Sequence, residues 1–379
     1  SYKDLLQVSN SNAGVDATAR AVSDGEGTAT LLYVSTTEVY NPGTGGTSNT
    51  AFGKNAGDAL DSGGNYNVFL GEEAGSAMAT GTNNIAIGFG AFDAADAGED
   101  DCIAIGLNAL GNLNHASSVR NIAIGSGAGD GMGTLAGSTD NVFMGYDAGG
   151  GTWATAVSTH NVGIGNYSMD AVMNGALYNV GIGHQALSGL TEAEGNVCIG
   201  YQAGLAASTG YEHICIGYQA GKTMSTGNNN IAIGRSALAA ADTQSLLVAV
   251  GGYAGQNINH NDALGTTLIG YYAGQALTSG IGNVAIGHEA LQAEDDGDRN
   301  TAVGTKALTS QTGTSGTVSN TAVGYKVGYS MTKGRYNTIM GEQALYTEDV
   351  GDYATAIGYQ TMYSQNSDSD NEATGNTGL

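Results

Sequence analysis

Residues 196–221 read NVCIGYQAGLAASTGYEHICIGYQAG, and this stretch contains one short segment twice. Val197-Cys-Ile-Gly returns 17 residues later as Ile214-Cys-Ile-Gly, and Tyr-Gln-Ala-Gly follows directly in both cases. A segment that returns at a short fixed interval is typical of a solenoid, in which each repeat packs on the next.

The motif Val/Ile/Thr-x-apolar-Gly recurs along most of the chain, and we number each repeat from its glycine as position 0. The motif occurs 18 times, with Asn at position −4 in 13 copies and Ala at position +3 in 15 copies. Nine of the 17 intervals are 17 residues long. The anchor glycines are Gly53, Gly71, Gly88, Gly106, Gly125, Gly145, Gly165, Gly183, Gly200, Gly217, Gly234, Gly251, Gly270, Gly287, Gly304, Gly324, Gly341 and Gly358.

The residue types at these positions predict strands. Positions −3 and −1 lie on one face of a strand, and their β-branched and apolar side chains suit a buried face. The glycine permits a turn, and the segment from +1 to +4 can form a second short strand. The repeated Asn at −4 can form an amide ladder. We therefore expect an all-β fold, a parallel β-solenoid of about 18 coils over residues 48–363.

Composition excludes several other classes of protein. The chain has 379 residues, of which 63 are Gly and one is Pro, and the glycines do not follow the collagen period. The formal net charge of −24 disfavours nucleic acid and anionic membranes as partners. No apolar run is long enough for a transmembrane helix, so membrane insertion is not expected.

Three repeats carry a resemblance to a known family: NIAIGSGA (121–128), NVAIGHEA (283–290) and NTAVGYKV (320–327). They resemble the coil of YadA-like trimeric autotransporter adhesin heads, which form a left-handed parallel β-roll. The resemblance implies a left-handed coil and a homotrimer that buries small and apolar residues along its threefold axis. The family's coil is shorter than 17 residues, and its stalk and membrane anchor are absent from this sequence.

The ends of the chain differ from the repeats. Residues 1–40 resemble the β-hairpin modules of bacteriophage tail fibres, with alternating strands around an Asp-Gly-Glu-Gly turn at 24–27. Residues 41–47 are expected to be a linker, and residues 364–379 a polar tail. These features favour a phage tail fibre on a virion over a bacterial adhesin at a cell surface.

Motifs for chemistry are weak, so we expect no enzymatic activity and no cofactor. The glycine-rich stretch at 125–131 lacks a surrounding βαβ unit, which a dinucleotide site requires. A polysaccharide-degrading fibre stays an alternative, although the acidic residues lie in loops of unequal length. The acidic loops at 93–101 and 294–299 could bind Ca²⁺ through carboxylate oxygens, but solvated loop tips are the preferred interpretation.

Cysteines occupy position −2 of two successive repeats. Cys198 and Cys215 should have Cα atoms about 4.8 Å apart, which is within disulfide range. Their side chains should point the same way, which favours two free thiols, but the sequence leaves the bond open.

Tyrosines also recur at fixed positions. Tyr201 and Tyr218 share position +1, whereas Tyr329, Tyr346 and Tyr363 share position +5. Such columns could stack on sugar rings or pack on one another. The sequence thus predicts a structural and adhesive protein, the trimeric shaft of a fibre that contacts a host-surface glycan or protein. Other fibre or virion proteins are expected at one end. The head of a bacterial adhesin is the second interpretation.

Overall fold

The computed structural model describes four strands within residues 7–40 by their backbone. It also describes residues 46–367, except 97, 134–136, 154–155, 261–262 and 313–315, and residues 375–379. The chain divides into two compact units, Ser1–Leu177 and Tyr178–Leu379. Within the described residues the regular structure is all β, and no helix is long and apolar enough to cross a membrane.

The first unit begins with an antiparallel sheet of four strands in chain order. These are β1 (Gln7–Val8), β2 (Arg20–Ser23), β3 (Ala29–Val34) and β4 (Val39–Tyr40). The hairpin of β2 and β3 brackets the predicted turn at 24–27, which itself lies outside the described residues. The expected linker at 41–47 is described only for its last two residues.

The remainder of the first unit is a parallel β-solenoid. Its strands are β5 (Thr50–Phe52), β6 (Val68–Leu70), β7 (Ile85–Ile87), β8 (Ile103–Ile105), β9 (Ile122–Ile124), β10 (Val142–Met144) and β11 (Val162–Ile164). Each strand pairs in parallel with the next, and equivalent repeat positions are partners. The repeats therefore stack in register, as the fixed interval predicts.

The second unit continues the same architecture within itself. Its main ladder contains β12 (Val180–Ile182), β13 (Val197–Ile199), β14 (Ile214–Ile216), β15 (Ile231–Ile233), β16 (Val248–Val250), β17 (Thr267–Ile269) and β18 (Val284–Ile286). A two-residue strand, β19 (Gly297–Asp298), comes before β20 (Thr301–Val303). Another, β21 (Gly316–Thr317), comes before β22 (Thr321–Val323), β23 (Thr338–Met340) and β24 (Thr355–Ile357). The strands β19 and β21 pair with each other beside the main ladder.

The end of the chain adds one more strand to this ladder. In β25 (Thr377–Gly378), Thr377 pairs in parallel with Thr355 and Gly378 with Ala356 of β24. Residues 364–379 were expected to be only a polar tail, yet their last residues lie on the edge of the last coil. The exposed hydrogen-bonding edge of β24 is thereby partly covered.

The side chains at positions −3 and −1 point outward, so the prediction that they form the buried face was wrong. In β13 the middle residue Cys198 is buried, whereas Val197 and Ile199 are half-exposed or exposed. The same alternation holds in every three-residue strand from β5 to β24, of which β7 and β14 are examples. The interior is instead lined by position −2, which is Ala, Gly or Cys in 14 of the 18 repeats, and by position +3, which is Ala in 15.

A narrow interior explains why the side chains at positions −3 and −1 point outward, because it cannot hold a large side chain at every position. Where position −2 is larger than Ala, position +4 is usually Gly: a Cβ at Gly204 would lie 2.5 Å from Cys198 Sγ. A Cβ at Gly149 would similarly meet the ring of Phe143 at 2.7 Å. Close packing therefore links the residue at −2 to the residue at +4 within one repeat.

The segment from +1 to +4 forms a turn, and the expectation of a second strand there was wrong. Positions +2 and +4 both have positive φ, as in Gln202 (φ 53°) and Gly204 (φ 57°). The turn still bonds to the neighbouring repeats, because Gln202 N donates to His184 O at 2.9 Å and Gly204 N to Ala220 O at 3.0 Å. The backbone groups are thus satisfied between coils without extended dihedral angles.

The anchor glycines are needed for the stacking of coils. All eighteen have φ between +126° and +148°, a region that residues with a Cβ rarely adopt. At Gly200 an added Cβ would also collide with the carbonyl oxygen of Gly217 in the next repeat. The glycine file therefore permits both the turn and the close approach of neighbouring backbones.

The amide ladder predicted at position −4 is confirmed, and it lies inside the coil. Asn196 N donates to Asn179 Oδ1 at 3.0 Å, and His213 N donates to Asn196 Oδ1 at 2.9 Å. Asn196 Nδ2 donates to Gly210 O at 2.9 Å, so the buried amide also fixes the loop that follows β13 and leads to β14. Each Asn therefore satisfies backbone groups that water cannot reach.

Candidate functional site: the outward side-chain files

Outward positions carry the side chains that can meet a ligand or a partner, because the interior is filled. We call the residues at positions −3 and −1 the apolar face. Its members are Val, Ile, Thr, Leu, Met or Phe in every repeat, and all of them are half-exposed or exposed in the described chain. The sequence interpretation missed this face because it placed these side chains inside. The signal that could have found it is the small residue between them, which suits only a narrow interior.

Tyrosines at position +1 form a stack in the second unit, as the sequence suggested for Tyr201 and Tyr218. Their ring centroids are 5.1 Å apart and the rings are within 9° of parallel. His184 extends the stack at 5.4 Å from Tyr201, and Arg235 places its guanidinium 5.3 Å from the Tyr218 centroid. Tyr201 and Tyr218 are 42% and 46% exposed, so their outer edges stay open to solvent.

The aromatic file continues beyond Arg235. The Arg235 guanidinium is 5.7 Å from the centroid of Tyr253, whose ring contacts Tyr271 and Tyr272 at 5.9 and 5.1 Å. His288 stacks on Tyr271 at 5.8 Å with the planes 9° apart. Aromatic rings therefore line the repeats from 184 to 288, with the guanidinium of Arg235 between Tyr218 and Tyr253.

Glutamines lie beside this file at position +2. Gln202 Nε2 donates to Gln185 Oε1, and Gln219 Nε2 donates to Gln202 Oε1, both at 2.8 Å. The combination of ring faces and ordered amides suits sugar rings, whose C–H faces stack on aromatics and whose hydroxyls bond to amides.

The tyrosines at position +5 form a separate stack. Tyr329 and Tyr346 have centroids 5.1 Å apart, and Tyr346 and Tyr363 are 4.9 Å apart with planes within 3°. All three are half-buried. The structure brings these three residues together but presents less of each ring, so mutual packing explains this file better than ligand contact does.

The acidic loop at 294–299 contains a buried carboxylate. Burial raises the pKa of Glu294 to about 7, and Glu294 Oε1 accepts hydrogen bonds from Gly297 N at 2.8 Å and Asp295 N at 3.2 Å. The carboxylates of Glu294, Asp295 and Asp296 lie within 4.8 Å of one another, a spacing compatible with a cation. Because Glu294 already caps the turn, the loop has a structural role that needs no ion.

The other acidic loop, at 93–101, is described apart from residue 97. Its Glu99 is fully buried, and burial raises the pKa of Asp93. Calcium at either loop stays a prediction.

Comparison with known proteins gives no family for this chain. No protein-family model matches it, and no curated protein matches it in sequence. The fold itself defines the class: the protein is a repeat protein built as a parallel β-solenoid. Such a fold is compatible with a structural protein of the fibre or adhesin kind.

Proposed function

We propose that the protein is the shaft of an attachment fibre in which three copies of the chain associate side by side through the apolar face. A phage tail fibre is the setting we favour, with the protein on the outside of a virion. A left-handed coil related to YadA-like adhesin heads belongs to the same proposal. The outward position of the apolar face is the observation that carries it.

The size of the apolar face supports association. Its two rows in the second unit alone contain 22 side chains from 11 repeats, and every one of them is half-exposed or exposed. The largest apolar patch on a typical monomer covers only about 300–600 Å². A single chain would therefore leave an unusually large apolar surface in water.

The pattern of charge supports the same conclusion. No repeat has a charged residue at position −3 or −1, although the chain has a net charge of −24. Charges are confined to the other positions, so like-charge repulsion does not act across the apolar face itself. Every copy of the chain has the same uncharged apolar face with the same spacing of repeats. Three copies can therefore pack these faces against one another.

Attachment is proposed for the aromatic file at position +1, with a host-surface glycan as the ligand. Three parallel copies would multiply weak sugar contacts into a stronger total affinity. The proposal includes no enzymatic step, no cofactor, no nucleic acid and no membrane insertion. Further fibre or virion proteins would bind at an end.

Light scattering coupled to size-exclusion chromatography tests the association. We expect a particle of three times the 38.0 kDa chain mass. The double variant Ile216→Asp and Ile286→Asp should shift the mass to one chain, because it buries charge in the interface. The control variant Thr209→Asp changes an exposed position outside the apolar face and should remain trimeric. A soluble, folded wild-type monomer would contradict the proposal.

A further inference from the structure

We infer that a cleft in the second unit binds an organic ammonium group, carried by an amino sugar or by a choline-type headgroup. We call it the corner cleft; it is lined by Tyr178, Glu194, Gly195, Tyr211 and Glu212 and has a volume of about 320 Å³. The inference names a ligand class for the proposed attachment, and it rests on that function only for the source of the ligand.

Three successive repeats build the corner cleft. Tyr178, Gly195 and Glu212 occupy position −5 of their repeats, and Glu194 and Tyr211 occupy position −6 of two of them. Stacking in register places the residues at position −5 one above another. A tyrosine at one end and a glutamate at the other therefore flank a glycine, which has no side chain.

Gly195 opens the cleft and is not required by the backbone. Position −5 has positive φ in every repeat, yet only Gly195, Gly265 and Gly282 are glycines there. Asn229, for example, adopts φ 56° at the same position. A Cβ added at Gly195 would lie 3.7 Å from Glu212 Cγ, which is an ordinary contact. The missing side chain therefore leaves space that the fold could have filled.

Two of the last repeats have tyrosines at position −5 and no cleft between them. Tyr336 and Tyr353 occupy position −5 of successive repeats and stack at 5.1 Å with planes 14° apart. Their rings cover each other, so no ligand can enter between them. The corner cleft differs because a glycine separates its position −5 side chains.

The side chains of the corner cleft favour a cation. Tyr178 and Tyr211 are 55% and 46% exposed, and ring faces attract ammonium groups. Among the described residues, no hydrogen bond or ion pair involves the carboxylate of Glu194 or Glu212. The two carboxylates repel an anionic ligand. They attract an ammonium ion, and so do the faces of the two aromatic rings.

The backbone holds the cleft in place before a ligand arrives. Tyr211 N donates to Asn228 Oδ1 at 3.1 Å, and Glu212 N donates to Glu194 O at 3.0 Å. Little ordering is therefore needed on binding. Because the carboxylates are exposed and screened by solvent, we expect a dissociation constant on the order of 1 mM for one site.

Calorimetric titration and saturation-transfer NMR with small probes test the inference. D-glucosamine or choline should bind, whereas N-acetylglucosamine and glucose should bind at least about tenfold more weakly because they lack the charge. The tighter of the two amines identifies the source. Gly195→Asn should abolish amine binding by filling the cleft, and the pair Glu194→Gln and Glu212→Gln should weaken it about tenfold.

Tyr336→Ala is the matched control, because it removes an exposed tyrosine from the same repeat position where no cleft exists, and it should leave binding unchanged. Equal binding of glucose and glucosamine would overturn the inference, and so would amine binding that survives Gly195→Asn. Light scattering on the same samples separates the two proposals. A trimer that binds no amine refutes only the cleft, and a monomer that binds amine refutes only the association.

Discussion

Cys198 and Cys215 lie opposite each other on adjacent parallel strands, at the same position of successive repeats. Both are fully buried and both are free thiols. The neighbouring thiol of Cys215, and then burial, raise the pKa of Cys198 well above its ordinary value. The two side chains therefore fill the interior next to Gly204 and Gly221. The sequence left a disulfide open, but in the structure the two thiols are not bonded.

Thiol reactivity tests this arrangement. We expect neither cysteine to react with Ellman's reagent in the native protein, because the thiolate is the reactive form and burial disfavours it. In denaturant all three cysteines of the chain should react. As a check on the pair, a reducing agent should leave the unfolding midpoint unchanged. Fewer than three reactive thiols after unfolding without reductant would indicate a disulfide.

Replacement of an anchor glycine should be far more harmful than replacement of the cleft glycine. Gly200→Ala places a Cβ against the carbonyl oxygen of Gly217 at a φ of +138°, so we expect a loss of about 3 kcal/mol or more in the free energy of unfolding. Gly195→Ala adopts φ +70° with no close contact and should cost only about 1 kcal/mol. Chemical denaturation followed by circular dichroism measures both, and equal losses would show that the glycine file does not limit stacking.

A buried Asn should contribute more to stability than a half-buried one whose hydrogen bond is exposed to solvent. Asn196→Ala leaves His213 N and Gly210 O without their partner inside the coil, and we expect a loss of about 2–4 kcal/mol. Asn228→Ala removes only an exposed contact to Tyr211 N and should cost about 1 kcal/mol or less. The measurement is again denaturant unfolding. Similar losses for the two variants would mean that the ladder at position −4 contributes no more than a surface bond.

Much of the fold follows from the repeat alone, and the failures have a common cause. The interval and the Asn at −4 predict stacked coils with an amide ladder, because these depend only on repetition. The orientation of Ile214 and Ile216 was predicted wrongly, since apolar side chains usually face the interior. In a narrow coil the interior instead accepts Cys215 and its equivalents, most of which are Ala, Gly or Cys.

The candidate site was less accessible to sequence reasoning. The stack of Tyr201 and Tyr218 follows from their shared position. The corner cleft does not, because it depends on the absence of a side chain at Gly195 and on the loop conformation that places Tyr178 and Tyr211 beside it. A lone glycine in a chain with 63 glycines gives no signal of its own.

Glu294 should make stability depend on pH. Burial raises its pKa to about 7, so the folded state favours the protonated carboxyl. The contribution of the Glu294 carboxyl group to the free energy of unfolding is fully present below about pH 4.5 and is lost as the pH rises through about 7. Glu294→Gln keeps the acceptor for Gly297 N and removes the charge. We expect it to stabilise the protein by up to about 3 kcal/mol at pH 8 and to have little effect at pH 4.5.

Thermal or denaturant unfolding across this pH range measures the difference between the two proteins. His213, whose pKa burial lowers to about 4, also affects stability in acid, but it is present in both and cancels. Glu342→Gln at an exposed position controls for the amide itself. A constant difference between wild type and Glu294→Gln at all pH values would refute the assignment.

The two tyrosine files should respond differently to substitution. Tyr201→Ala with Tyr218→Ala removes exposed rings at position +1, so we expect binding to host-surface polysaccharide to fall about tenfold or more while the trimer persists. Tyr346→Ala removes the middle ring of the half-buried +5 stack, which contacts Tyr329 and Tyr363. It should lower the free energy of unfolding by about 1–2 kcal/mol and leave polysaccharide binding intact. Binding of labelled polysaccharide and denaturant unfolding distinguish the two roles, and glycan binding that depends on Tyr346 but not on Tyr201 and Tyr218 would reverse the assignment.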